Sequence, residues 1–400
     1  MKNNKKYVAV VAAGILSASI SMPINAEWSI YGLGTLGGVY SEAARINDSG
    51  QVVGLYYTDD GKFHAFSTKA NGLDIFDLGT LGGTISVANG INNLGQVAGA
   101  SYIAGDEIFM EGVPTYHAFL TGNNGVGMTD LGGLLSYAMN VNNNGNVVGQ
   151  AIFGSGGYTH SFITGTNGLG MIDMGTLGGN SSSGISVNDL GQVVGWSNTN
   201  INNGRLYHAF VTDADGKNMT DLGTLGGLTS FAADINNSGQ VVGISQNDND
   251  RDRAFMTAAN STSMIDLGTF GGSSSRALGI NDAGQVVGNA YIPGDTSEHA
   301  FVYSDGVMVD LSLLDAVVAA GWTSLQALDI NNNGQIVGIG MLGGIRQAFL
   351  LSGADQEDFF RTYVPPTYPP SIPVPEVPEP HTYAMLLAGL GLVGFRKKIF

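Results

Sequence analysis

Between residues 29 and 352 apolar and polar positions alternate over short runs, and the runs end at clusters of Asn, Gly, Ser and Asp. A period of two is the pattern of a half-buried strand, and Gly beside Asn or Asp marks the turns between strands. Residues 229–272 show the unit most clearly. Ser230–Ile235 alternates small apolar and polar side chains and predicts a first strand. Asn236-Asn237-Ser238-Gly239 predicts a hairpin turn, since Asn bonds to nearby backbone and Gly accepts a positive φ. Gln240–Ser245 predicts a second strand, and a variable loop follows. Arg253–Thr257 predicts a third strand, Ser261–Ser263 a turn and Met264–Leu267 a fourth strand. The glycines at 268, 271 and 272 predict a crossing to the next unit.

The unit recurs. An Ile/Val-Asn-x-x-Gly-x-Val/Ile-x-Gly block starts at Ile46, Ile91, Val141, Val187, Ile235, Ile280 and Ile330, with spacings of 45, 50, 46, 48, 45 and 50 residues. A second block follows each copy, with Ala-Phe or Ser-Phe after a changing residue: His64, His117, His160, His208, Arg253, His299 and Gln347. A third block, Asp-Leu-Gly-Thr-Leu-Gly-Gly, is complete at Asp77–Gly83 and Asp221–Gly227. It varies at Asp173–Gly179 and Asp266–Gly272, is shortened after Asp130 and only begins at Asp310. Together the three blocks resemble the HAF repeat family of bacterial extracellular proteins, over most of residues 30–350. That resemblance implies no particular activity.

Four short antiparallel strands every 45–50 residues is the size of a β-propeller blade. The last unit runs into a proline-rich stretch without a fourth strand, whereas Ile30–Gly38 is an orphan third-block copy ahead of the first unit. Docking it onto the last unit completes seven blades and leaves no open edge. The expected fold is therefore an all-β, seven-bladed propeller over residues 27–352, closed by its N-terminal strand. A parallel β-solenoid is the alternative, but its coils are shorter and need no antiparallel turn in each unit. The sixth unit departs from the pattern at Ser312–Trp322, where Asp315 predicts the cap of a short helix ending at Gly321 and packed near the closure.

The ends carry addresses. Lys2, Lys5 and Lys6, an apolar run from Tyr7 to Ile20 and a small-residue exit at Ala26 predict a signal peptide over 1–26 and export through the Sec machinery. Eight of the eleven prolines lie between 364 and 380, within a linker over 353–376 and the motif that follows. That stretch should extend as a spacer of on the order of 50 Å. Next come Val377-Pro378-Glu379-Pro380, the uncharged run Tyr383–Phe395 and Arg396-Lys397-Lys398. Thirteen residues are short for a bilayer span, but the basic cluster favours a membrane segment with its end in the cytoplasm. Residues 377–400 resemble the PEP-CTERM sorting signal of Gram-negative bacteria. In that family an exosortase, a membrane transpeptidase-like protease, recognises the motif and removes the anchor. The resemblance implies transient inner-membrane anchoring and then a cell-surface or extracellular destination.

Charge and chemistry narrow the functions. Ten Lys and Arg face 33 acidic residues between the two ends, a balance that repels phosphate backbones and makes nucleic acid an unsuitable partner. With no cysteine, thiolate chemistry, iron–sulfur clusters and Cys-based zinc sites are excluded. The second-block slot holds His five times, then Arg253 and Gln347. All three types donate hydrogen bonds, so a structural donor bridging neighbouring blades is expected rather than a metal ligand. The third-block acids Asp77, Asp130, Asp173, Asp221, Asp266 and Asp310 recur at fixed phase, as a turn or cross-blade bond would. The oxygen-rich turns at Asn47, Asn188 and Asn281 and the loop Asn247-Asp248-Asn249-Asp250 could attract Ca2+, although no complete calcium loop is present. The Gly-rich stretches lack the Lys-Ser/Thr of a phosphate loop. No cofactor and no catalytic residue is assigned. The expected function is a non-enzymatic surface or matrix role in biofilm or exopolymer, with extracellular polysaccharide as a candidate partner. The alternative is a polysaccharide-acting propeller enzyme, hydrolase or lyase, with close carboxylates at one channel mouth and rim loops at 101–116 and 199–207.

Overall fold

Each repeat closes into its own antiparallel four-stranded sheet, and seven such sheets form a ring. The computed structural model describes residues 28–105, 116–154, 156–201, 206–353, 360, 361, 363–366 and 368. The expected signal peptide and the tail over 377–400 lie outside them, as does the anchor helix expected there. Among the described residues no helix is long and apolar enough to cross a membrane. Blade 1 consists of Ser41–Ile46, Val52–Tyr57, Phe63–Ser67 and Phe76–Gly79. Blades 2 to 6 follow within 82–130, 134–173, 178–221, 226–266 and 275–310. Blade 7 takes Trp322–Ile330, Ile336–Leu342 and Ile345–Ser352, and Ser29–Gly32 supplies its outer strand. That strand runs antiparallel to the third, with Ser29 opposite Ser352 and Gly32 opposite Phe349. The ring is thus closed by the N-terminal strand, as the orphan copy predicts.

Strand boundaries differ in one instructive way. The first strand of blade 5 begins at Gly226, ahead of the expected Ser230. The glycine pair of the third block is therefore the start of a strand. Gly226 has φ +109°, and a Cβ on Gly227 would fall 2.5 Å from the Gln246 side chain, so neither position takes a larger residue. The first strands also carry a bulge, seen as a register shift such as that between Ala232 and Asp234. The bulge drives a carbonyl toward the second strand. A Cβ on the opposing glycine would sit 1.9–2.1 Å from that oxygen in all seven blades, as at Gly54 and Gly243. This explains the last glycine of the first block.

Between blades the core is built from one phenylalanine per unit: Phe66, Phe119, Phe162, Phe210, Phe255, Phe301 and Phe349 are all fully buried. Removing such a ring costs about 3–5 kcal/mol. A serine five residues before six of the seven block starts adds a polar tie. Ser230 of blade 5 accepts from the Ala209 amide of blade 4 at 2.9 Å and donates to the Gly223 carbonyl at 2.5 Å. Ser41, Ser86, Ser136, Ser182 and Ser275 repeat both bonds around the ring. In blade 7 the slot holds Leu325, and Ser312 of the insertion bonds the Ala300 amide instead, at 3.2 Å. Replacing Ser230 with Ala strands a buried amide and a carbonyl, so a loss of about 1–3 kcal/mol is expected in denaturant unfolding, against almost none at an exposed serine.

The insertion contains the short helix Asp315–Ala319. Asp315 is its first residue and not its cap. The capping carboxylate is Asp310, which accepts from the Ser312 amide at 2.9 Å ahead of the preceding turn. Leu311, Leu314 and Val317 pack with Trp28 and Trp322 over the closure.

Candidate functional site

The first strand of every blade is innermost, and its end and turn line the central channel around a cavity of about 150 Å3. Two hydrogen-bonded rings encircle this mouth. In the first, the turn asparagine of each blade donates its Nδ2 to the carbonyl of the same asparagine in the next. Asn47, Asn92, Asn142, Asn188, Asn236, Asn281 and Asn331 form an unbroken circle of 2.8–3.1 Å bonds. Each Oδ1 meanwhile holds its own turn, as Asn47 does with the Gln51 amide at 2.9 Å. In the second ring the amide of the following residue donates to the side-chain oxygen of its counterpart in the next blade, again through all seven blades.

That second ring reads Asp48, Asn93, Asn143, Asp189, Asn237, Asp282, Asn332. No two acids are adjacent, and three is the most that a circle of seven can hold without adjacency. Each carboxylate accepts from an asparagine amide on either side, as Asp48 does from Asn93 at 2.8 Å and Asn332 at 3.2 Å. Like charges are thus separated by donors, and the oxygens that could attract Ca2+ are already engaged.

Below the rings lies the layer in which the residue type varies most. The residue before each block start is Arg45, Gly90, Asn140, Ser186, Asp234, Gly279 or Asp329. Arg45 reaches across the channel from blade 1. Its guanidinium lies 3.3 Å from Asp329 Oδ1 and 3.9 Å from Asp234 Oδ2, and donates to the Ala233 and Leu278 carbonyls at 3.4 Å. Glycine at 279 is required, since a Cβ there would fall 2.9 Å from Asp329 Oδ1. Both carboxylates also bind backbone: Asp329 accepts from the Ile46 amide at 2.9 Å and Asp234 from the Ile280 amide at 3.0 Å. Burial works against the Arg45 charge, but the two carboxylates outweigh it and raise its pKa above the ordinary value. Burial, helped by the charge of Asp234 and opposed by Arg45, pushes Asp329 up to about 6.

A raised carboxylate pKa means that the folded state holds its proton longer than the unfolded chain. The contribution of Asp329 is therefore complete below its unfolded value of 3.8 and is lost as pH rises through about 6. Denaturant titrations of the wild type and Asp329→Asn should show the stability difference moving against the wild type across that window and level above it.

The second-block histidines are elsewhere, on the outer part of the blades. His64, His117, His160, His208 and His299 each place Nδ1 2.7–3.0 Å from the third-block aspartate of the same blade. Arg253 lies 3.8 Å from Asp266. The partner is in the same blade and not on the neighbour, where the buried serines make the tie. The aspartates also accept the turn amide two residues on, as Asp77 does from Gly79 at 2.8 Å. Gln347 faces Gly32, which carries no carboxylate. In blade 1 the Tyr56 hydroxyl joins the pair, donating to Asp77 at 3.1 Å. Burial first, and then the charge of Asp77, push its pKa up to about 12.

Among the described residues no group of His, Asp or Glu is arranged to hold a metal ion. In the acidic loop Asn247 closes its own turn, accepting from the Asn249 and Arg251 amides at 3.0 and 3.2 Å. Of the two loop insertions, 106–115 and 202–205 are outside the described residues; the second strands that lead into them, Val97–Ile103 and Val193–Thr199, end on the face opposite the asparagine rings. The carboxylates Asp234 and Asp329 line the channel cavity and are bridged there by Arg45.

Residues 376–398 match the family model of the PEP-CTERM protein-sorting motif. The chain is therefore an exported β-propeller whose C-terminus addresses it to a membrane-anchored exosortase. No curated protein matches it in sequence. Among solved structures, the β-propeller domain of the Trilobed protease from Pyrococcus furiosus, described as an open velcro topology, aligns with TM-score 0.51 and 11% identity. That alignment covers 79% of this chain and 95% of the other. A Mycobacterium tuberculosis puromycin-hydrolyzing peptidase aligns with TM-score 0.52 and 12% identity, covering 79% of this chain and 53% of that one. The Pyrococcus horikoshii acylaminoacyl peptidase gives 0.50 and 10%, covering 81% and 54%. The chain thus spans about half the length of these two peptidases. At such identities the likeness is one of fold.

Proposed function

We propose that this protein is a surface or extracellular-matrix propeller with a non-enzymatic binding and structural role in an exopolymer. Its repeats, on this reading, belong with the HAF repeats that they resemble. The observation that carries the reading is the channel layer: the two carboxylates that line the channel, Asp234 and Asp329, are engaged by Arg45, which ties blade 1 to blades 5 and 7. The outer wall, by contrast, repeats one partly exposed pair. Asp77, Asp130, Asp173 and Asp221 are 37–43% exposed beside their histidines. Identical weak sites at regular spacing suit a repetitive polymer, because linked sites gain avidity without any strong single contact.

Co-sedimentation of the processed protein with the host's extracellular polysaccharide tests this. Saturable retention without release of reducing or unsaturated ends is expected. Turnover that is lost in Asp234→Asn or Asp329→Asn would sink the binding reading and install the polysaccharide-acting enzyme.

A further inference from the structure

The third-block aspartates are similarly exposed in blades 1 to 5, but the one in blade 6 is not. Asp310 has a fully buried side chain. What covers it is a piece of the chain from beyond the ring. The Tyr368 hydroxyl donates to Asp310 Oδ2 at 2.6 Å, and the Asp310 amide donates to the Tyr363 hydroxyl oxygen at 3.1 Å. Tyr368 also lies edge-on to His299, with ring centres 6.3 Å apart at 70°, and against Phe270 at 5.9 Å. Nearer the ring, Phe360 is buried in the cluster of Trp28, Leu314, Val317 and Trp322 that seals the closure.

The same three-residue arrangement is built into blade 1 by a residue of the blade itself. Tyr56 donates to Asp77 and sits edge-on to His64, at 6.0 Å and 77°. Tyr56 stands directly opposite His64 on the second strand. The residue opposite His299 is Ala290, which has no hydroxyl to offer and leaves room beside the imidazole. Blade 6 therefore has no tyrosine opposite its histidine, and the C-terminal segment supplies one.

We propose that the His299–Asp310 pair of blade 6 is a docking site for the chain's own tyrosine- and proline-bearing C-terminal segment. The segment is held at three points, Phe360, Tyr363 and Tyr368. Tyr368 itself lies beside Phe270, on the face that carries the links between blades. The asparagine-ring mouth faces the opposite way, and a cut near the sorting motif leaves the dock occupied, since every pinned residue precedes it.

Arg361 lies between two of the pins and offers a tryptic site. Cleavage there requires the segment to leave its dock, so its rate follows the undocked population. In the full chain, Tyr363→Ala/Tyr368→Ala should be cut after Arg361 at least tenfold faster than the wild type, and Tyr368→Phe by an intermediate factor. Cleavage inside the ring and the unfolding midpoint should hardly change. Phe360→Ala should act in the same direction by releasing the other end. Equal rates in wild type and the double tyrosine variant would overturn the proposal. A wild-type rate that falls with rising protein concentration would also overturn it, since the dock would then be filled by a second copy.

Discussion

Arg45→Leu is expected to destabilise the propeller at neutral pH by about 3–5 kcal/mol, the usual cost of breaking a buried ion pair from one side. The loss arises less from the missing guanidinium bonds than from what remains. Asp234 and Asp329 would face each other without a counter-charge, each pinned in place by the backbone amide it accepts. The deficit should therefore shrink on acidification, as Asp329 takes up its proton. Removing all three charges should be nearly neutral. In Arg45→Leu/Asp234→Asn/Asp329→Asn the amide acceptors survive and no buried charge is stranded, so unfolding should return to within about 1 kcal/mol of the wild type. Chemical denaturation of the four proteins at pH 5 and pH 7 checks both statements. A single Arg45→Leu that unfolds like the wild type at pH 7 would show that the channel layer is not the tie described here.

Truncation to residue 40 is expected to have an effect at least as large. It removes Trp28 and Leu33 from the core, worth roughly 3–6 kcal/mol together, and the outer strand of blade 7 with them. It also bares the third strand Ile345–Ser352, whose unpaired amides and carbonyls form a template for another chain. Size-exclusion chromatography with light scattering should find oligomers or aggregate in place of monomer, and adding a peptide of residues 28–38 should recover monomer. Monomeric truncated protein with an unchanged melting curve would mean that the ring does not depend on its N-terminal closure.

The blades were legible because their determinants are local. An Asn-x-x-Gly turn between alternating runs is the same physics in each of seven copies, and the orphan Ile30–Gly38 copy had a single unit left to complete. The histidine partner was also present in the sequence. Four of the histidines and Arg253 precede an aspartate by thirteen residues, and His299 precedes Asp310 by eleven, within one hairpin of the same blade. Expecting a bridge to the neighbouring blade overlooked the serine that recurs five residues ahead of six block starts.

The channel layer was harder to see. Arg45 and Asp329 are 284 residues apart and meet because the ring closes. What could have pointed to them is the break in repetition itself. The position before each Ile or Val changes among Arg, Gly, Asn, Ser and Asp while the motif beside it holds. A residue that varies at a fixed phase of a repeat does not serve the blade, and here it serves the one place where all seven blades converge.

Release of an exported propeller from its anchor is best tested by intact mass together with cellular location. The full chain should be expressed in a Gram-negative host that encodes an exosortase, and the surface, medium and inner-membrane fractions weighed. A surface or extracellular species lacking residues 1–26 and cut near Val377–Pro380 is expected. A full-length species held in the inner membrane in that host would contradict it.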